Sequence, residues 1–112
     1  MAKEKSYKTV KIVKRGSITW LYLNRPEKRN AMNPKMHFEM DHAIESLESD
    51  PDTRVLVLTG AGGKSFCAGQ DLALYFRAND NNPKARRKAQ QASHSWRWER
   101  LVNFPKPTIA MV

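Results

Sequence analysis

The sequence predicts an α/β domain, and three stretches carry that prediction. Tyr7 to Val13 and Ser17 to Leu23 are strand-like runs separated by Lys14-Arg15-Gly16; Met36, Met40, Ala43, Ile44 and Leu47 recur at helical spacing; Val55 to Leu58 is an unbroken apolar run. They read in turn as a hairpin, an amphipathic helix and a strand covered on both faces. At 112 residues, 40% of them hydrophobic, the chain amounts to one domain at most, taken as residues 1–112.

Each element has its own local reason. In the second strand Ile18, Trp20 and Tyr22 fall on one face and Leu21 and Leu23 on the other, so both faces should be at least partly covered. That strand stops at Asn24-Arg25-Pro26, where proline removes a ladder donor, and the polar, basic loop Glu27-Lys28-Arg29-Asn30 leads to Ala31-Met32. Asn33 is placed to cap the first helix, with Pro34 at its first position and Asp50-Pro51 at its end. The methionines of its stripe read as core rather than ligand contacts.

After the central strand comes a glycine cluster, Gly60, Gly62 and Gly63, and then Ser65-Phe66-Cys67-Ala68-Gly69-Gln70. The leucines and aromatics from Gln70 to Phe76 suit one side of a short helix, and Asp71 suits its first turn. Beyond the break Asn79 to Pro83, a second helix is expected over Lys84 to Val102, with Ala85, Ala89, Ala92 and Trp96 on one face, a basic beginning, and an apolar far end at Trp96, Trp98, Leu101 and Phe104. Thr108 to Val112 reads as the start of another buried strand. Because a domain rarely ends on an apolar run, the chain is expected to be the N-terminal piece of something longer.

Composition narrows the classes of function. No apolar run approaches the ~20 residues that cross a bilayer, and the charged start MAKEKSYK lacks the apolar segment of a secretory signal, so a cytoplasmic location is expected. Cys67 is the only cysteine, which rules out an internal disulfide. The net charge of +9 suits a phosphate-rich ligand, nucleic acid, or simply a solvated surface, since the basic residues are spread along the chain. Nucleic acid is disfavoured because aromatic residues are not interleaved with the basic run Lys84 to Lys88 in any recognisable binding module.

Several apparent motifs fail on inspection. A phosphate loop ending in Gly63-Lys64-Ser65 needs a glycine where Leu58 stands, and a dinucleotide fingerprint from Gly60 needs one at Ser65. His37, His42 and His94 lack metal-ligand spacing and read as exposed or satisfied by local hydrogen bonds, so no metal is expected. Cys67 reads as a small packed hydrophobe, with no His or Lys beside it to activate the thiol. What remains is the start of the Gln70 segment. Small residues there let a ligand approach the backbone, and a helix start offers amides without intrahelical acceptors, so the Gln70 amide is expected to face a negatively charged oxygen.

Two blocks, Leu23 to Met32 (LNRPEKRNAM) and Ser65 to Leu72 (SFCAGQDL), taken with their spacing, resemble the crotonase superfamily of enoyl-CoA hydratases and isomerases. The resemblance runs from about Tyr7 to the end of the chain. It implies the N-terminal part of a crotonase-like ββα spiral fold, truncated, and a homotrimer or dimer of trimers for the full-length protein. Tyr75-Phe76-Arg77 and Ser95-Trp96-Arg97-Trp98 resemble the hydroxycinnamoyl-CoA hydratase-lyases in particular. That implies hydration of a 4-hydroxycinnamoyl-CoA thioester such as feruloyl-CoA, then cleavage to an aromatic aldehyde (vanillin) and acetyl-CoA, with coenzyme A entering as part of the substrate and no permanently bound cofactor. The resemblance gives the Gln70 backbone NH one of two oxyanion-hole positions, places Arg29 and Ala31 around the CoA moiety, sets Ala68, Gly69 and Leu72 along the thioester, and puts Tyr75 at the substrate phenol. Residue 70 is more commonly methionine or a small residue in such proteins, so Gln70 is a departure. The catalytic glutamate and the second oxyanion donor are expected beyond Val112, which leaves the 112-residue chain itself inactive.

Overall fold

The computed structural model describes residues 7–71 and 82–112. A four-stranded sheet runs in the order β1 (Val10–Arg15), β2 (Ile18–Leu23), β3 (Val55–Gly60), β4 (Thr108–Met111). The expected hairpin is present: β1 pairs antiparallel with β2, Arg15 opposite Ile18, and the turn falls on Gly16, whose φ of +61° suits a residue without Cβ. The first strand begins three residues later and runs two residues further than its alternation suggested. The next two pairings, β2 with β3 and β3 with β4, are parallel, so the chain must cross over between them.

The first crossover carries α1 (Pro34–Glu48), whose start follows the sequence closely. Asn33 caps it by accepting from the Met36 amide at 2.9 Å, and Pro34 opens it. At the other end Lys106 donates to the carbonyls of Leu47, at 3.1 Å, and Asp50, at 2.5 Å, placing a cation where the helix leaves acceptors unpaired. The methionine stripe is core, as expected. Met36, Met40, Ala43, Ile44 and Leu47 pack with Val10, Leu21, Leu23 and Leu56 from the sheet. Registers that set Val10 against Leu23, and Thr19 against Leu56, keep these residues on one face.

The second helix, α2 (Pro83–His94), is capped by Asn82, which accepts from the Ala85 amide at 3.1 Å. It ends earlier than the periodicity suggested, because Ser95–Arg100 winds as a wider π turn, with the Leu101 amide donating to the Trp96 carbonyl. Two tryptophans that the sequence placed together at an apolar end face opposite ways, as residues two apart on a helix do. Trp96 is buried in the core and Trp98 is 62% exposed. Arg100 closes this segment onto α1 through Asp41 at 2.8 Å, with Glu45 and Glu48 nearby.

The last strand differs from expectation. Thr108 to Met111 forms β4 at the sheet edge, but all four residues are exposed, because the core built by α1 and Trp96 lies over β1 to β3. Among the described residues no helix is long and apolar enough to cross a membrane.

Candidate functional site

The two parallel strands β2 and β3 end side by side, and the loops that leave their carboxyl ends fold against each other. This is where an open parallel sheet offers a ligand crevice. The first loop, Arg25 to Met32, begins with a single 3₁₀ turn over Pro26–Lys28 and then holds Arg29 and Asn30 in succession at positive φ, 53° and 59°. Two consecutive left-handed residues that are not glycine need support from outside the loop. Asn30 supplies it. Its Oδ1 accepts from the Arg25 amide at 2.8 Å, and its Nδ2 donates to the carbonyls of Ala61 at 3.0 Å and Ser65 at 2.9 Å in the second loop. Fully buried, it pins the two loops together.

The second loop, Ala61 to Asp71, comes close to the first at the level of the backbone. A Cβ on Gly60 would lie 2.4 Å from the Ser65 carbonyl oxygen and 2.5 Å from that of Phe66, so only glycine fits where β3 ends. The loops then zip. The Ala68 amide and the Ser65 hydroxyl both donate to the Arg29 carbonyl, at 3.1 and 2.9 Å; the Met32 amide donates to the Gly69 carbonyl and the Asp71 amide to the Met32 carbonyl, each at 2.7 Å. A buried guanidinium locks this seam, with Arg25 donating to the Ala31 carbonyl at 2.5 Å and to the Asp71 carboxylate at 3.1 Å.

The consequence falls on Gln70. It forms a one-residue parallel bridge with Met32, and that bridge uses the carbonyl before it and the amide after it. The N–H of Gln70 itself therefore points away from Met32. Of the consecutive amides from Ala68 to Asp71, three are engaged: Ala68 with Arg29, Gly69 with the Cys67 sulfur at 3.4 Å, and Asp71 with Met32. The amide of Gln70 has no acceptor among the described residues.

The side chain of Gln70 turns toward α1, where its Oε1 lies 2.9 Å from His37 Nε2; on the other side of the ring Trp96 Nε1 donates to His37 Nδ1 at 3.1 Å. His37 is thus fully buried and tied to residues far away in sequence, rather than exposed or satisfied locally as its spacing suggested. Burial pushes its pKa below the ordinary histidine value; the bond to Gln70 opposes that shift and the charge of Arg97 adds to it.

The predicted site residues divide into three groups. Ala68, Gly69 and Gln70 lie along the seam with Ala68 exposed and the other two half-buried, and Gly69 holds φ +99°. Arg29 and Ala31 stand across the seam; their carbonyls are taken by the loop contacts, and the Arg29 side chain is exposed. Leu72 and Tyr75, with most of the helix expected from Gln70 to Phe76, lie outside the described residues. Asp71, expected at that helix start, carries the ion pair with Arg25 as well. Asn30, Arg25, His37 and Trp96 were not anticipated as parts of the site. Only Asn30 left a signal, as a loop residue of a type that tolerates left-handed backbone. Among the described residues no group of His, Cys, Asp and Glu is placed to hold a metal.

The chain is similar in sequence and fold to known proteins. The family model for enoyl-CoA hydratase/isomerase matches residues 14–112. A hydroxycinnamoyl-CoA hydratase-lyase of Pseudomonas fluorescens is 47% identical over 110 residues, which is 97% of this chain and 40% of that protein. A putative enoyl-CoA hydratase of Thermus thermophilus is 37% identical over 89% of the chain and 39% of its own length. Among solved structures, an enoyl-CoA hydratase from Polaromonas sp. JS666 superposes with a TM-score of 0.78 at 33% identity, covering 92% of this chain and 39% of that one. The chain therefore spans about two fifths of the length of these relatives, and its sheet and helices are a portion of the crotonase fold. With a family model matched over nearly its whole length, the chain belongs to the enoyl-CoA hydratase/isomerase family.

Proposed function

We propose that this chain contributes the thioester-binding seam of a hydratase-lyase acting on 4-hydroxycinnamoyl-CoA thioesters, with the Gln70 amide as one oxyanion donor. Since the chain covers about two fifths of its relatives, the activity is proposed for a protein of their full length that carries these residues. One observation carries the reading: in the run Ala68 to Asp71, Gln70 alone keeps its N–H without an acceptor among the described residues. Hydration of the side-chain double bond and the carbon–carbon cleavage that follows both place negative charge on the thioester oxygen. A backbone donor fixed at that oxygen lowers both barriers, by about 3 kcal/mol in comparable sites. The seam holds the amide rigidly, so little reorganisation is needed as charge develops.

The choice of a 4-hydroxycinnamoyl substrate is supported by the likeness to the Pseudomonas fluorescens hydratase-lyase, and Arg29, Ala31, Ala68 and Gly69 are assigned to the CoA and thioester sides. The proposal extends to a cytoplasmic homotrimer or dimer of trimers, which light scattering on the full-length protein tests. For the substrate, a ¹⁵N-labelled chain is titrated with feruloyl-CoA and with crotonyl-CoA. The expected result is a downfield shift of the Gln70 amide proton with both thioesters and tighter binding of feruloyl-CoA; release of vanillin by the full-length protein completes the test. An unmoved Gln70 amide would remove the oxyanion assignment, and preference for crotonyl-CoA with no aldehyde formed would leave a plain enoyl-CoA hydratase or isomerase.

A further inference from the structure

Gln70 carries a second donor whose direction is set from the core. An indole N–H donates and cannot accept, so the contact of Trp96 Nε1 at 3.1 Å requires a lone pair on His37 Nδ1. A fully buried imidazole in that position is neutral, and its one proton then resides on Nε2. The 2.9 Å contact between His37 Nε2 and Gln70 is accordingly a donation to Oε1, which commits the carboxamide oxygen to α1. The amide nitrogen takes the other branch. Gln70 is half-buried and its Nε2 has no acceptor among the described residues, so the residue offers two donors, its backbone N–H and its side-chain NH₂.

We infer that Gln70 Nε2 donates to an oxygen on the β carbon of the bound acyl group, so that the site selects acyl-CoA thioesters oxygenated at that carbon. The inference rests on the acyl-CoA reading above. A side chain whose own backbone N–H meets the carbonyl oxygen reaches only acyl atoms close to that carbonyl, and the β carbon is where hydration of an enoyl thioester places its oxygen. His37 and Trp96 are positioning residues here: they touch no substrate and act by fixing which end of the carboxamide faces it.

The test compares dissociation constants of butyryl-CoA and acetoacetyl-CoA, which differ by a β-carbonyl that can only accept, for the 112-residue chain and for Gln70→Met and Gln70→Glu. In the unsubstituted chain acetoacetyl-CoA should bind about 5-fold tighter, the worth of one hydrogen bond to a neutral group. In Gln70→Met, which has no donor, the ratio should fall to about 1; in Gln70→Glu, which still accepts from His37 but presents an oxygen to the ligand, it should fall below 1. Equal binding of the two thioesters by the unsubstituted chain, or a ratio unchanged in Gln70→Met, overturns the inference and leaves the acyl-CoA reading standing. Failure of both thioesters to bind overturns the reading and the inference together. A second measurement needs no ligand: ¹⁵N shifts of His37 should show the proton on Nε2, and a proton on Nδ1 would reverse the carboxamide and sink the inference.

Discussion

Asn30 Nδ2 donates to the carbonyl of Ser65 at 2.9 Å, and this single bond ties a residue just past β2 to one just past β3. The same amide group serves Ala61, and its oxygen serves Arg25, so three polar groups depend on one buried side chain. Replacing Asn30 with alanine strands all three and places an alanine at φ 59°, a conformation asparagine tolerates better. The expected cost is roughly 3 kcal/mol, from buried groups left unpaired at about 1–3 kcal/mol each with partial relief by water. Urea unfolding of Asn30→Ala should show the fall in midpoint, and amide exchange should show it concentrated in the seam at Ala68 and Met32. A midpoint within experimental error of the original would mean that the loops hold together without this residue.

Arg25 is 6% exposed and its guanidinium meets Asp71 at 3.1 Å, which makes the consequence of removal asymmetric. Asp71→Ala leaves a buried cation with the Ala31 carbonyl as its one remaining partner among the described residues, whereas Arg25→Met leaves a carboxylate that is closer to water. We expect Asp71→Ala to destabilise by about 3 kcal/mol and Arg25→Met by less, with the double variant recovering part of the loss. A double-mutant cycle in urea decides it. Additive effects would show that the pair is not coupled.

Much of the architecture was legible because it is local or periodic. The Asn33-Pro34 start, the methionine stripe and the Val55 to Gly60 strand each obey a rule that operates within a few residues. What escaped depends on partners far along the chain. Nothing near His37 announces that Trp96 and Gln70 lie 59 and 33 residues away in sequence yet bracket its ring. Burial of β4 was misjudged for a related reason: an apolar run shows that a strand seeks cover, not whether a described element provides it. The small residues ahead of Gln70 singled out its amide, which has no acceptor among the described residues. The bridge with Met32, made by the Gly69 carbonyl and the Asp71 amide on either side of it, was not legible, because a bridge is a relation between two loops.

Asp50, just past α1, ties that end to β1 through Lys14 and to β2 through Thr53, and should make stability depend on acid. It lies 2.7 Å from Lys14 Nζ and accepts from the Thr53 hydroxyl at 2.6 Å, and Thr53 in turn meets Thr19 at 2.7 Å beneath the sheet. The hydrogen bond from Lys14, then that from Thr53, hold the Asp50 carboxyl down at about 2, against an ordinary value of 3.8. Because the folded value is the lower one, the unfolded chain takes up the proton first as pH falls, and this contribution, complete above pH 3.8, drains away toward pH 2. The slope of unfolding free energy over that window should be visibly reduced in Lys14→Met. An unchanged slope would place the acid sensitivity in other carboxylates.

His37 produces a second dependence on pH, at a higher range and for the opposite reason. Burial holds its folded pKa below the ordinary 6.5, so the unfolded chain binds a proton at a pH where the folded one does not. Stability should therefore be full above pH 6.5 and decline as pH falls below it, by at most about 1.4 kcal/mol per pH unit for one proton, until the folded value is reached. Protonation would also set an N–H against the indole N–H of Trp96, so the decline should be accompanied by a change in the Trp96 indole resonance. His37→Asn removes the titrating group and should flatten the curve over this range, whatever its effect on absolute stability. If the slope below pH 6.5 persists in His37→Asn, or the Trp96 indole signal stays fixed through it, the ring is not the group that couples this core to protons.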